Sequence, residues 1–306
     1  MTILITGATG LIGKALTKVC LSRGFTVHYL TTRQNAVVTE EKKKGFLWNP
    51  SKNEIDVNAF NGVSTIVHLA GATVANRWTS AYKKEILESR INTAQVIYDA
   101  LEAIEHNVVH FISASGVSIY PPSFTKLYTE SSTDVSDDFL GTVVTTWEKA
   151  ADTFSNLDIQ VAKVRTGVVF SAEEGAYPKI EKPVKMNLGA ALGSGKQYLS
   201  WIHLDDIVGI YDYIIINKLE GVYNGVAPTP IKNATLTKKI AERYHKKIWL
   251  PNVPSFVLNI AMGEMSTLVL DGQLVSPAKM QKTKYMFMHS NIDSALNQLI
   301  SNKKDS

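Results

Sequence analysis

ITGATGLIGKAL, residues 5–16, decides the fold. An apolar run beginning at Ile3 leads into it, and helical periodicity from about Leu11 to Ser22 follows it, ended by Gly24. Three glycines, Gly7, Gly10 and Gly13, occupy the junction. A strand–turn–helix junction of this composition suits one task. One glycine permits the tight turn, a second lets a pyrophosphate approach the backbone, and a third lets helix pack on strand. The helix N-terminus then offers free N–H groups and a partial positive charge. Gly7, Gly10 and Gly13 are therefore expected to position the pyrophosphate, with Thr9, Leu11 and Ile12 among the cofactor-binding residues. An acidic residue about 20 positions on would hold the ribose 2′-hydroxyl of NAD. Thr31, Thr32 and Arg33 stand there instead, with no acid before Glu40. The guanidinium fork suits a 2′-phosphate. Thr32 and Arg33 thus point to NADP(H), with NAD(H) as the alternative if Arg33 is only a surface residue.

Outward from the turn, strands and helices alternate. Phe25–Leu30, Thr65–Leu69, Val108–Ser113, Ile159–Val164 and Gly167–Phe170 have strand character, while Ala81–Ile104 and Trp147–Phe154 have helical character. This pattern predicts an α/β fold, a Rossmann-type doubly wound parallel sheet. After Phe170 a Gly-, Pro- and Lys-rich stretch runs to Gln197. Trp201–Asp206, a helix through Ile216, a strand near Val222–Asn224, a helix over 234–246 and another from Ser255 follow. The expected division is a dinucleotide-binding domain over 1–170, with returning elements at about 200–228, and a smaller C-terminal substrate-side lobe over 171–306.

Composition narrows the class. The 306 residues carry 45% hydrophobic and 20% charged side chains and a formal charge of +4. That describes a globular chain without a nucleic-acid patch. The closest basic run, Lys42–Lys44, follows two glutamates and reads as a solvated loop. No signal peptide is visible, and no apolar stretch reaches the ~20 residues that span a bilayer, so no membrane partner is expected. The single cysteine, Cys20, excludes an internal disulfide and suits a cytoplasmic setting. No Cys/His cluster has zinc spacing and the seven histidines are scattered, so no metal is expected.

Further motifs carry a resemblance. They are His68-Leu-Ala-Gly71, Asn76-Arg-Trp78, Glu88-Ser-Arg90, Ser113-Ala-Ser115, Arg165-Thr-Gly167-Val-Val169, Leu192-Gly-Ser-Gly-Lys-Gln197, Trp201-Ile-His-Leu-Asp-Asp206, Gly263-Glu-Met265 and Pro277. With the glycine turn, they resemble an atypical short-chain dehydrogenase/reductase of the epimerase/dehydratase-like branch, the YfcH-like group with a C-terminal domain of unknown function. The resemblance covers essentially the whole chain. It implies that Leu69, Ala70, Gly71, Arg90, Ser113, Arg165 and Gly167 line the cofactor, and that the substrate is a small carbonyl or a sugar nucleotide. It also allows a homodimer.

The superfamily's usual catalyst is a tyrosine whose pKa, near ~10, is lowered by a lysine four residues on. None of the twelve tyrosines here has lysine at that spacing. The resemblance places the lost motif within Leu140–Glu148, with Leu140 and Val144 in the Tyr and Lys positions. Three candidates remain for chemistry: Ser115 (or Ser113), Tyr120 and His203. Tyr120 is either a catalyst or packing near the nicotinamide. His203 with Asp205 is either a structural hub or a proton carrier. Glu148 is expected to form a buried ion pair with Arg90, with a role as base the alternative. Trp78, Trp147 and Trp201 are either pocket walls or core, and the loop of Gly189, Gly193, Gly195, Lys196 and Gln197 is either a closing loop or plain surface. Three functions follow: redox chemistry without the usual tyrosine, a catalytically silent NADP(H)-binding regulator, or epimerisation by transient oxidation, for which the sequence names no base.

Overall fold

The computed structural model describes residues 1–301. In the first half, the strands are β1 (Thr2–Thr6), β2 (Thr26–Thr31), β3 (Lys43–Asn49), β4 (Glu54–Ile55), β5 (Val63–His68), β6 (His110–Gly116), β7 (Leu127–Tyr128), β8 (Gln160–Thr166) and β9 (Val168–Phe170). The helices there are α1 (Leu11–Ser22), α2 (Ser80–Glu102) and α3 (Phe139–Asp152). Beyond them lie α4 (Tyr177–Lys185), β10 (Tyr198–Leu199), β11 (Trp201–His203), α5 (Leu204–Asn217), β12 (Gly221–Gly225), β13 (Ile231–Lys232) and α6 (Asn233–Arg243). The chain ends with α7 (Ser255–Met262), α8 (Thr267–Leu270), β14 (Leu274–Val275), α9 (Ala278–Gln281) and α10 (Ile292–Ser301).

One eight-stranded sheet runs β12-β8-β6-β5-β1-β2-β3-β4, parallel except for the β3–β4 pair. Chain order reverses between β1 and β5, which opens the ligand crevice of a doubly wound sheet at their carboxyl ends. Side chains alternate across the sheet as a pleated strand demands. Ile3, Ile5, Val27, Val67, Ile112 and Val164 pack under α1 and α5, with Leu16, Cys20, Ile207 and Tyr211. Leu4, Leu30, Ile66 and Phe111 face α2 and α3, with Ile97, Ala151 and Phe154. The smaller C-terminal lobe gathers α4, α6 and α10 around Phe170 and Trp201. Among the described residues no helix is long and apolar enough to cross a membrane.

Two segments differ from the sequence expectation. Lys42–Lys44 is not a loop: Lys43 opens β3, in parallel register with Val27. Its side chains stay toward solvent while its backbone completes the ladder, so the charge run concealed the strand. The Gly/Pro/Lys-rich stretch contains α4, with Pro178 in its first turn and Pro183 inside it. Tyr177, Glu181 and Val184 form its buried face, spaced as one helical stripe.

The β2–β3 link, residues 32–42, holds only a short 3-10 turn and no helix. Tyr29 stabilises it: its hydroxyl donates to Ala36 O at 2.7 Å and accepts from Val38 N at 3.1 Å. Gly45 makes room, since a Cβ there would lie 2.6 Å from the Tyr29 ring. The sheet face beside α1 is left as a groove of about 410 Å³, running from Ala8 and Thr9 to Leu21 and Lys43.

Candidate active site

The crevice begins at the glycine turn. Gly7 takes φ +66°, a left-handed conformation that favours glycine, and a Cβ on it would sit 2.8 Å from Leu69 O. A Cβ on Gly13 would sit 2.2 Å from Gly7 O. Only glycine permits both approaches. Gly10 N–H donates to Gly7 O at 2.9 Å and Gly10 caps α1 without any side-chain hydrogen bond. No acid lies in the first turn. The helix N-terminus therefore keeps the free donors and uncompensated dipole that a phosphate needs.

The neighbouring turn is held from below. Thr6 Oγ1 accepts the N–H groups of Leu69 and Ala70, both at 3.1 Å, and lies 2.9 Å from His68 Nδ1. Burial pushes His68 down to about 4, aided by the Arg90 charge, so the ring is neutral at pH 7. Arg90 donates to Ala72 O at 3.1 Å and Ile86 O at 2.8 Å, and its guanidinium lies 4.7 Å over the Trp147 ring. Gly71 passes close to it: a Cβ there would be 3.3 Å from the Arg90 side chain. At the carboxyl end of β2, Arg33 and Thr32 are exposed, and Arg33 has no ion-pair partner among the described residues.

The other end of the crevice is built on β6, β8 and α3. Glu148 does not pair with Arg90. It takes Arg165 instead, through Nε at 2.7 Å and Nη2 at 2.8 Å, and accepts the Ser115 hydroxyl at 2.6 Å. The reason is helical phase: neighbouring residues on α3 point about 100° apart. Trp147 meets Arg90 while Glu148 meets the strands. Burial pushes the Glu148 carboxyl up, but Arg165 and Ser115 outweigh it and hold the group below its ordinary value. Ser113, two residues back on β6, donates to Ala114 O at 2.8 Å.

Tyr120 is fully buried and stacks on Tyr128. Its oxygen accepts from Arg165 Nη1 at 2.9 Å and lies 3.0 Å from both Thr129 O and Asn224 Oδ1. Burial raises its pKa further from neutrality. His203 caps α5, its Nδ1 accepting Asp205 N–H at 3.1 Å. Burial and the His289 charge lower its pKa, against the raising effect of Asp205.

Leu140 lines a cavity of about 100 Å³ with Ser118, Asp138, Ser200, Asp271 and Gln273. Val144, one turn on, packs against Gly116 at the end of β6. The cavity thus lies beside the strand that carries Ser115. Asp138 is held as the N-cap of α3, accepting Gly141 N–H at 2.6 Å. Burial raises the Asp271 carboxyl, and the Asp138 charge adds to it. Gly167 brings the cavity's wall close, since a Cβ there would be 2.1 Å from Ser200 O. Asp271 was not a candidate from sequence, because no local pattern links it to α3. The aromatic candidates separate. Trp201 is core, its Nε1 bound to Thr229 O. Trp78 stands edge-on to Phe139, next to Leu140. The glycine loop is pinned: buried Gln197 donates to Leu192 O and Val269 O.

Residues 3–225 match the NAD dependent epimerase/dehydratase family. The chain belongs to that family. Residues 253–299 match a second family, a domain of unknown function, DUF1731. This epimerase-family chain is 34% identical over 305 residues to the epimerase family protein YfhF of Bacillus subtilis, covering 99% of each. It is similar to the human epimerase family protein SDR39U1, isoform 2, crystallised with NADPH. That match has 30% identity and a TM-score of 0.85, over 99% of this chain and 100% of the other. MoeE5, solved with UDP-glucose and NAD, shares the fold at 16% identity and a TM-score of 0.77, over 100% and 99% of the two chains. The Rossmann-like sheet, the smaller C-terminal lobe and the NAD(P)-binding character of the family are thereby established.

Proposed function

We propose that the chain binds NADP(H) and performs redox chemistry on a small carbonyl or sugar-nucleotide substrate without the usual Tyr–Lys pair. The glycine cradle carries the first half of this reading. Gly7 and Gly13 leave no space for a Cβ, and the α1 N-terminus above them has no side-chain cap and no acid in its first turn. Gly7, Gly10 and Gly13 would hold the pyrophosphate, with Leu69, Ala70 and Gly71 passing alongside. Thr32 and Arg33 would take the adenosine 2′-phosphate. The NADPH bound by the human relative supports that choice. When bound, the nicotinamide group supplies hydride exchange at the β6 end.

There this chain's own residues do three things. Glu148, fixed by Arg165, draws the Ser115 proton toward itself, so Ser115 presents lone pairs and can accept a substrate hydroxyl. Tyr120 serves as an acceptor for Arg165, and its burial favours that supporting role over proton transfer. Asp138 and Asp271 give the adjoining cavity a polar wall suited to sugar hydroxyls, in keeping with the UDP-glucose bound by MoeE5. The test is NADPH oxidation by cofactor-loaded protein against a panel of carbonyls and 4-keto sugar nucleotides. Turnover that Ser115→Ala reduces at least about tenfold supports the reading.

The silent regulator is favoured by one feature: apolar Leu140 and Val144 stand where the family resemblance puts the acid and its lysine. Tight NADPH binding with no turnover across the panel, and with Ser115→Ala unchanged, would select it.

A further inference from the structure

His203, Asp205 and His289 offer one ligand atom each, all within 4.8 Å of one another. We propose that they form a site for a divalent transition-metal ion of the zinc class, tying the C-terminal segment to the start of α5. The two histidines are far apart in the sequence, so no spacing rule could reveal them.

The geometry is close to what such an ion needs. His203 Nδ1 lies 3.5 Å from Asp205 Oδ2, and His289 Nε2 lies 4.0 Å from the same oxygen. Bonds of about 2.0–2.2 Å in a tetrahedron put ligand atoms roughly 3.4 Å apart. The first pair is already at that spacing, and the second must close by only a fraction of an ångström. The imidazoles face each other with centroids 4.2 Å apart, tilted by 49°. Two histidines and a carboxylate suit a borderline ion such as Zn²⁺ or Co²⁺ better than Mg²⁺, which prefers oxygen. His203 Nδ1 accepts the Asp205 N–H at 3.1 Å, so the ion would take that lone pair in exchange for the α5 cap.

The supporting groups are also in place. Gln298 Nε2 donates to Asp205 Oδ2 at 2.8 Å and so orients the carboxylate. Asp206 accepts the N–H groups of Met288 and His289 at 2.7 and 2.9 Å, fixing the backbone that carries His289. His289 Nδ1 and Gln298 Oε1 are buried without a hydrogen-bond partner. Asp205 is half-buried and the most accessible of the three, and water would supply the fourth ligand.

The ion would be structural. β11 starts at Trp201, next to Ser200 in the wall of the Leu140 cavity, and ends at His203. A three-residue strand spans about 10 Å. The site is thus set apart from the crevice, and it stands or falls independently of the proposed redox function.

Tag-free protein, stripped with EDTA and dialysed, would be titrated calorimetrically with Zn²⁺, Co²⁺ and Mg²⁺. Saturable one-to-one binding of Zn²⁺ and Co²⁺ but not Mg²⁺ is expected, with a melting temperature raised by about 5 °C at roughly 100-fold excess over Kd. His289→Ala and Asp205→Ala should each weaken Zn²⁺ binding by at least about tenfold. His203 is left intact because it caps α5. Circular dichroism and NADPH binding of both variants should match the parent. Absence of saturable Zn²⁺ binding, equal binding of Mg²⁺, or Zn²⁺ binding untouched by both substitutions would overturn the proposal.

Discussion

The two ends of the crevice make different use of the same scaffold. At the β1–α1 end, backbone does the work: a Cβ on Gly7 or Gly13 would lie under 3 Å from backbone atoms, so no side chain fits at either position. At the β6–α3 end, side chains do it, and they have been exchanged. Leu140 and Val144 occupy the α3 positions where the superfamily resemblance places an acid and its lysine. A buried Ser115–Glu148–Arg165–Tyr120 chain holds that corner instead. Backbone geometry tolerates little change, whereas a side-chain network can be rewired while strand and helix stay in place. The proposed cofactor cradle and the proposed reaction corner thus rest on different kinds of contact.

The largest effect should come from breaking the rewired corner. Glu148→Ala leaves the Arg165 guanidinium buried without its partner, at a cost of about 3–5 kcal/mol. Chemical denaturation should show that loss. A change below about 1 kcal/mol would mean that water reaches Arg165 and that the network is not closed. Next in size is pH. His68 titrates at about 4 when folded, against 6.5 as its ordinary value. The unfolded chain therefore binds the proton first as pH falls. Stability is full above about 6.5 and declines between there and about 4. Glu148, with its pKa held below the ordinary carboxylate value, adds a second loss at still lower pH as it protonates. Melting curves from pH 8 to pH 4 should show the first slope, to which buried His203 contributes as well, and His68→Asn should reduce it.

Smaller effects sharpen the cofactor end. Arg33→Ala should weaken NADPH binding about tenfold and leave NADH almost unchanged, since only the 2′-phosphate loses a partner. Equal losses for both would place Arg33 elsewhere. Tyr29→Phe removes a hydroxyl that bridges Ala36 and Val38. About 1 kcal/mol of stability should go, with at most a several-fold loss of NADPH affinity through the loop that carries Arg33.

The same contrast explains what the sequence disclosed. The glycine turn, the alternation of elements and the acid-free end of β2 are local, so they were legible. The β3 strand was hidden because its exposed lysines reflect side-chain solvation while its backbone pairs with β2. The partner of Glu148 was misjudged because helical phase decides between Arg90 and Arg165, and one residue of rotation separates the two outcomes. Asp271 and the His203–Asp205–His289 cluster needed the folded chain, since segments distant in sequence supply them. The C-terminal segment, similar to a domain of unknown function, contributes to both places.

The most direct test of the central claim is a titration of the purified chain with NADPH and NADH, followed by reduced-nicotinamide fluorescence, beside the Gly13→Val variant. NADPH should bind at least about tenfold more tightly than NADH, and the variant should bind neither. Failure of the parent chain to bind either nucleotide would contradict the account, because the glycine cradle would then have no ligand.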